Sequence, residues 1–373
     1  MKRVVVTGSG GLLGWHAHVQ LHAANCAAVF SGDPLRYEIV ALDHVKFDDD
    51  SILKSAVKGA DAILHFAGVN RSSEENVMSG NPAIARRLVE ACKVVGCDPH
   101  IVYANSIHSS TDTVYGRSKR IAGEVLDGFA SSYTDLILPH IFGECAQPFY
   151  NNATATLIHQ LIVGGDVNVN PNGQMQLLYA GEATRIAINV ILSATIGRVQ
   201  PASHPISVSD LFTKLMVFHE NYQDNIYPNF SGEVDLDLFN SYRAAPYPDH
   251  WPRQLQLNTD ERGTLFEAVK GGAGQTFLST SKPGITRGDH FHLSKVERFL
   301  VIQGEAMIRI RKVLSSDVWE YRVSGDNPVV VDIPTLHTHS IENLGDGELL
   351  TLFWAHELFD PDNTDTYAEK VLL

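Results

Sequence analysis

Short apolar runs and amphipathic stretches alternate along the first half of the chain. Val4-Val5-Val6 is β-branched and runs into glycines, the pattern of a strand buried on both faces of a parallel sheet. A helical stretch follows to about Phe30, where Ser31-Gly32-Asp33-Pro34 breaks it. Tyr37–Leu42, Ala62–Phe66 and Ile101–Tyr103 repeat the strand pattern. Between the last two, Asn81-Pro82 reads as an N-cap with proline at the first helical position, opening a helix through Val95. A further helix opens at Tyr115 and runs to about Ala130. Helical patterns also cover Ala153–Gly164, Ala183–Ile196 and Val208–Tyr222.

The pattern changes after Tyr242. Pro246, Pro248 and Pro252 fall within seven residues and can continue neither a helix nor a central strand. The linker is expected here, dividing the chain into residues 1–245 and 246–373. Beyond it, short β-rich runs recur at Thr276–Thr280, Phe299–Ile302, Ala306–Arg311, Trp319–Val323, Val329–Ile333 and Leu349–Trp354. Even spacing with turns between predicts a barrel or jelly roll.

Composition narrows the picture. With 373 residues and 44% apolar content, two domains with sizeable cores are expected. The net charge of −14 argues against a nucleic-acid partner. No apolar run reaches the length of a membrane span, and Met1–Gly8 reads as a strand start, not an export signal. The four cysteines fit no metal or disulfide spacing, which suggests a reducing cytoplasm.

Three stretches of the first half carry chemistry. Thr7-Gly8-Ser9-Gly10-Gly11-Leu12-Leu13-Gly14 places Gly8, Gly11 and Gly14 between a strand and a helix, where bare backbone can approach a pyrophosphate. Asp43 follows the second strand and can accept bonds from adenosine ribose hydroxyls, while His44 and Lys46 could meet a 2′-phosphate, so NAD and NADP both stay open. The small step Ala67-Gly68 suits close approach to the same cofactor. Tyr115 and Lys119 are four apart on a helix and share a face. An ammonium there would lower the phenol's pKa from near ~10 and fit it to exchange a proton with a carbonyl oxygen. Ser106 lies just past the end of the fourth strand, at the edge where ligands of such sheets collect.

Together, Thr7-Gly-x-x-Gly-x-x-Gly14, His65-Phe-Ala-Gly68, Ser106 and Tyr115-x-x-x-Lys119 resemble the extended short-chain dehydrogenases/reductases over residues 1–245. The resemblance implies that Tyr115 is the general acid/base, that Lys119 lowers its pKa and holds the nicotinamide ribose, and that Ser106 bonds the reacting carbonyl. It adds His65 to the cofactor residues, with NAD(P)H as cofactor and activated sugars as common substrates. Ile137-Leu-Pro-His140-Ile-Phe142-Gly143 departs from the family's Arg-x-x-Asn-x-(aromatic)-Gly, lacking the arginine and carrying histidine for asparagine. Asn151, Asn152 and Arg185 are candidate contacts to the sugar nucleotide.

In the second half, Gly288-Asp289-His290-Phe291-His292-x4-Glu297 is followed by Pro334-Thr-Leu336-His337-Thr-His339-x3-Asn343. Three imidazoles and one carboxylate can surround a divalent cation with positions left open. The spacing is similar to both cupin motifs, with Leu336 where glycine is usual. That resemblance makes His290, His292, Glu297 and His339 the metal ligands, zinc being the first expectation, with His337 outside them. A metal-free cupin remains the alternative. Asp260-Glu-Arg262-Gly263-x3-Glu267 is similar to the entry strand of metal-free jelly-roll sugar-nucleotide epimerases. The expected fold class is a doubly wound α/β Rossmann-type domain with a C-terminal all-β cupin (jelly-roll) domain.

Lys282-Pro-Gly-Ile-Thr286-x-Gly288-x-His290, Val331-Asp-Ile-Pro334 and Ile341-Glu-Asn-Leu-Gly345 extend the resemblance to capsular polysaccharide enzymes that join these two domains. It implies a bifunctional homodimer acting on a UDP-linked 4-keto amino sugar, towards UDP-N-acetyl-L-fucosamine. The cupin would epimerise beside the ketone, and the reductase would then reduce the ketone. The alternative is a single-activity 4-ketoreductase whose cupin serves only dimerisation.

Overall fold

The computed structural model describes every residue except Asp166, Asn168, Arg262, Gly272 and Ala273. Arg262 of the entry-strand motif therefore lies outside the described residues. The chain forms two compact units, Met1–Thr156 with Asn168–Leu211, and Leu157–Val167 with Phe212–Leu373.

The first unit is built on a six-stranded parallel sheet. Its strands lie in the order Tyr37–Leu42, Lys2–Thr7, Ala62–His65, His100–Ser106, Tyr133–Leu138 and Gly197–Val199. Val5 packs with Leu88 and Ile101 on one face, while Val4 and Val6 pack with Leu21 and Leu136 on the other. That two-sided burial is why the run is apolar throughout. The second and third strands flank the first on opposite sides, so the winding reverses between Lys2–Thr7 and Ala62–His65. A crevice opens at such a reversal, beyond the carboxyl ends of the strands. The glycine turn and the Ala67-Gly68 step both sit there.

The helix Leu12–Phe30 and the strand Tyr37–Leu42 match the sequence expectation. The helix after the third strand does not begin at Asn81. It spans Glu74–Val95, with Ser73 capping the Asn76 N–H at 3.3 Å and Glu74 and Glu75 in the first turn. Ser73 with two acids is the stronger start signal, and Pro82 is carried inside the helix. Similarly, the helix expected from Ala183 spans Ala180–Ser193.

The second unit holds two five-stranded antiparallel sheets. One orders Arg253–Gln254, Val329–Ile333, Glu297–Gln303, Leu349–Ala355 and Gln275–Ser281. The other orders Val318–Ser324, Glu305–Lys312, His337–Asn343, Thr286–Phe291 and Tyr367–Ala368. Phe299, Val301 and Val331 of the first sheet share a core with Ile308, Ile310 and Ile341 of the second. Side chains alternate along a strand, so Arg298 turns the other way from Phe299. Arg298 and Asp332 are fully buried there, joined by hydrogen bonds of 2.6 and 2.9 Å. Tyr222 and Tyr227 donate to the same carboxylate at 2.5 and 2.6 Å. The segment around Tyr222 and Tyr227 and the helix Glu233–Ala244 thus belong to the second unit's packing. Trp251, in the proline-rich stretch, is buried as well and donates to the Asp332 carbonyl at 2.7 Å.

Candidate active sites

The first site starts from the backbone. Gly8 has φ +69°, and a Cβ on it would come within 2.7 Å of the Ala67 nitrogen. A Cβ on Gly14 would lie 2.1 Å from the Gly8 carbonyl oxygen. Only glycine permits this turn against the next strand. Gly11 caps the helix Leu12–Phe30 without a side-chain hydrogen bond, leaving the first-turn N–H groups to an anion such as a pyrophosphate. A Cβ on Gly10 would lie 3.9 Å from that of Asp43, so Asp43 borders the turn. One of its carboxylate oxygens accepts from the Lys46 N–H at 2.9 Å.

His65 serves this turn differently from the expectation. Its ring is 1% exposed and lies between those of Phe47 and Tyr103. Burial, then the nearby Lys119, pulls its pKa down to about 3, so it is neutral. Nδ1 is 2.7 Å from Thr7 Oγ1, and that oxygen accepts from the Ala67 N–H at 3.3 Å. His65 therefore joins the two loops of the crevice through Thr7, with its ring in the core.

Ser106 ends the strand His100–Ser106 and pairs with Leu138 on the neighbouring strand. Thr113 caps the helix Val114–Asp127 through the Gly116 N–H at 3.1 Å, and this helix carries both Tyr115 and Lys119. Burial raises the Tyr115 pKa, and a hydrogen bond with Ser106 draws it partly back. Lys119 is buried, donates to the Ala104 carbonyl at 2.5 Å and lies 4.1 Å over the Tyr103 ring. Burial lowers its pKa to about 7, against the opposing pull of Asp135. Burial is the largest cause of both shifts, so each group is desolvated by the packing around it. A Cβ on Gly68 would lie 3.9 Å from Lys119 Nζ, which sets the amine beside the cofactor loop.

Asn81 is the residue the sequence reading missed. Its side chain accepts from the Val69 N–H at 2.9 Å and donates to the Val69 carbonyl at 2.8 Å and to Ser118 Oγ at 2.9 Å. It therefore ties the Gly68 loop to the helix one residue before Lys119. Its place before Pro82 looked like a cap and hid this role. His140 lies two residues beyond Leu138, and its buried Nε2 has no hydrogen-bond partner among the described residues. Burial lowers its pKa to about 4. Asn152 is structural, accepting from the Ala155 N–H and donating to the Ile141 carbonyl, both at 3.0 Å. Arg185 holds Glu182 with bonds of 2.7 and 2.6 Å. Asn151 is exposed with φ +53°.

The second site draws on three strands. His290 lies on Thr286–Phe291, Glu297 opens Glu297–Gln303 and His339 lies on His337–Asn343, paired with His290. His292 follows the first of these. One ligand atom from each of His290, His292, Glu297 and His339 falls within 4.8 Å of the others. His292 Nε2 is 3.0 Å and His339 Nε2 3.5 Å from Glu297 Oε2. Neither ring nitrogen makes an aligned hydrogen bond, so two buried donor atoms are left for another partner. Burial holds His290 down to about 3, the neutral form a cation requires. Three nitrogens and one carboxylate oxygen in a buried cluster fit a divalent cation. His337 is outside the cluster, with Nδ1 2.8 Å from the Thr335 carbonyl. Leu336 has φ +62°, which accounts for the glycine usual at this position.

Comparison with known proteins bears on both units. The NAD dependent epimerase/dehydratase family matches residues 4–198, and the polysaccharide biosynthesis C-terminal domain matches residues 258–367. A UDP-2-acetamido-2,6-beta-L-arabino-hexul-4-ose reductase of Pseudomonas aeruginosa is 30% identical over 99% of both chains. The crystal structure of the capsular polysaccharide assembling protein CapF of Staphylococcus aureus is similar at a TM-score of 0.58. It is 29% identical, with 99% of this chain and 100% of that one covered. A dTDP-4-dehydrorhamnose reductase of Bacillus anthracis, solved with NADP, shares the fold of the first unit. It has a TM-score of 0.50 and 18% identity, covering 59% of this chain and 82% of that one.

Proposed function

The chain belongs to the NAD dependent epimerase/dehydratase family, and we propose that it is a bifunctional sugar-nucleotide enzyme of polysaccharide biosynthesis. Its substrate is a UDP-2-acetamido-2,6-dideoxy-4-hexulose. A cupin jelly roll over residues 246–373 epimerises the carbon beside the ketone. Residues 1–245 then reduce the ketone to UDP-2-acetamido-2,6-dideoxy-L-talose, towards UDP-N-acetyl-L-fucosamine. The near-full-length relative that reduces such a 4-ketone supports the substrate class. The two separate donor sets support two chemistries.

NAD(P)H, when bound, supplies the hydride. Gly8, Gly11 and Gly14 leave room for its pyrophosphate, and Asp43, which borders the turn, would accept bonds from its adenosine ribose. Ser106 orients the carbonyl oxygen, and protonated Tyr115 gives its proton to the alkoxide as it forms. Lys119, in its protonated form beside Gly68, offsets the charge of the phenolate left behind.

In the second site a divalent cation, zinc as first choice, would supply Lewis-acid stabilisation beside the ketone. His290, His292, Glu297 and His339 would hold it. The resemblance also implies a homodimer, while the cysteine usage, net charge and hydropathy of the sequence point to a cytoplasmic protein that engages neither nucleic acid nor membrane.

The observation that carries the reading is Lys119 beside Gly68 of the cofactor loop, on the helix that also carries Tyr115. Tyr115→Phe tests it with a 4-keto UDP-sugar. NAD(P)H consumption should vanish while deuterium exchange beside the ketone persists. Loss of both activities, or of neither, overturns the division of labour.

A further inference from the structure

Beyond Ala355 the chain runs without regular structure to Tyr367–Ala368, which pairs with the strand carrying His290. Asp365 lies at the end of this segment and meets the metal-type cluster twice. Its backbone carbonyl is 2.5 Å from His292 Nδ1. Its carboxylate gathers the loop that follows His292, accepting from the N–H groups of Leu293, Ser294 and Lys295 at 2.9, 2.9 and 2.8 Å and from the Ser294 hydroxyl at 3.0 Å. Lys295 Nζ closes the contact on the Thr364 carbonyl at 2.6 Å.

Three consecutive backbone N–H groups converging on one anion form a nest. Asp365 itself adopts φ +41°, a conformation that aspartate tolerates better than most residues. The strained backbone and the filled nest require each other, because turning Asp365 back would withdraw carbonyl and carboxylate together. A carbonyl can only accept, so His292 must carry a proton on Nδ1. That leaves Nε2, the atom 3.0 Å from Glu297, as the one ring nitrogen a cation can take.

We propose that Asp365 is the positioning residue of this cluster. Its carbonyl holds the His292 Nδ1–H and so turns Nε2 inward, and its carboxylate locks the loop that aims the ring. The consequence for cation affinity rests on the reading of the cluster as a cation site. The hold on Nδ1–H does not. Outer partners of metal-binding histidines typically change affinity 10–100-fold.

The experiment uses the full-length protein. Zinc affinity is measured by competition with a chromophoric chelator, and the His292 Nδ1–H bond by imidazole 15N shifts and exchange of the Nδ1 proton in the metal-free protein. Asp365→Asn keeps the backbone carbonyl and one acceptor oxygen but replaces the other with a donor facing N–H groups. It should weaken zinc about 10–100-fold and speed exchange of the Nδ1 proton. Ser294→Ala, which removes a single contact, should shift both readouts in the same direction by a smaller amount and covers the case in which Asp365→Asn fails to fold. Asp362→Asn, exposed in the same segment, should change neither. A wild-type His292 without a proton on Nδ1, or wild-type Nδ1 proton exchange and zinc affinity in both Asp365→Asn and Ser294→Ala, overturns the proposal. If wild type binds no zinc, the cation reading fails, and the 15N shifts still decide the role of Asp365.

Discussion

Lys119→Met isolates the electrostatic cost of burying the amine. Methionine is long, unbranched and uncharged, so it removes the titration while filling much of the space. In the folded protein burial lowers the Lys119 pKa from 10.5 to about 7. One pKa unit corresponds to about 1.4 kcal/mol, so the protonated amine costs the folded state close to 5 kcal/mol in full. Between the two pKa values the unfolded chain binds more protons than the folded one, and stability therefore rises with pH. The cost is nearly complete at pH 6 and about 2 kcal/mol at pH 9. Wild type should thus gain about 2–3 kcal/mol on Lys119→Met across that interval. The lost bond to the Ala104 carbonyl and the lost contact with Tyr103 chiefly offset the two curves, leaving the slope to titration. Urea unfolding of both proteins without cofactor at pH 6, 7.5 and 9 gives the difference directly. Parallel pH profiles, or a difference that moves the opposite way, would refute the desolvated amine.

Two further outcomes concern the second unit. Asp332→Asn leaves the fully buried Arg298 without its counter-charge and should lower unfolding stability by about 3–5 kcal/mol; a loss under ~1 kcal/mol in urea titration would mean the pair is dispensable. Leu336→Gly relieves a left-handed backbone worth about 1–2 kcal/mol but removes a side chain only 2% exposed, itself worth about 2–5 kcal/mol. A net loss of about 2 kcal/mol is expected, and a gain in urea would show that backbone strain dominates.

What was legible in the sequence is what local physics imposes. The Gly8-Gly11-Gly14 spacing reports a backbone that tolerates no Cβ, and Val4-Val5-Val6 reports burial on two faces. The histidine spacing placed His290, His292, Glu297 and His339 as they gather in the structure. What was not legible depends on partners distant in the chain. Asn81 beside proline carries a strong local cap signal, yet its amide is used by Val69 and Ser118. His65 sits in a strand where alternation alone could not say whether core or crevice receives its ring. The lowered Lys119 pKa required knowing that both members of the pair are desolvated. Asp365 lies 73 residues from His292, and no spacing rule connects them. The proline-rich stretch does break regular structure, but Tyr222, Tyr227 and Asp332 bind across it.

Glu297 and Arg298 are neighbours that look in opposite directions, one to the imidazoles and one to the tyrosines around Asp332. A shift of that strand cannot disturb one without moving the other. Any excised fragment meant to retain the histidine cluster should therefore begin upstream of residue 212. Cutting at the prolines would strip away the phenols that hold Asp332 and leave a buried ion pair facing water.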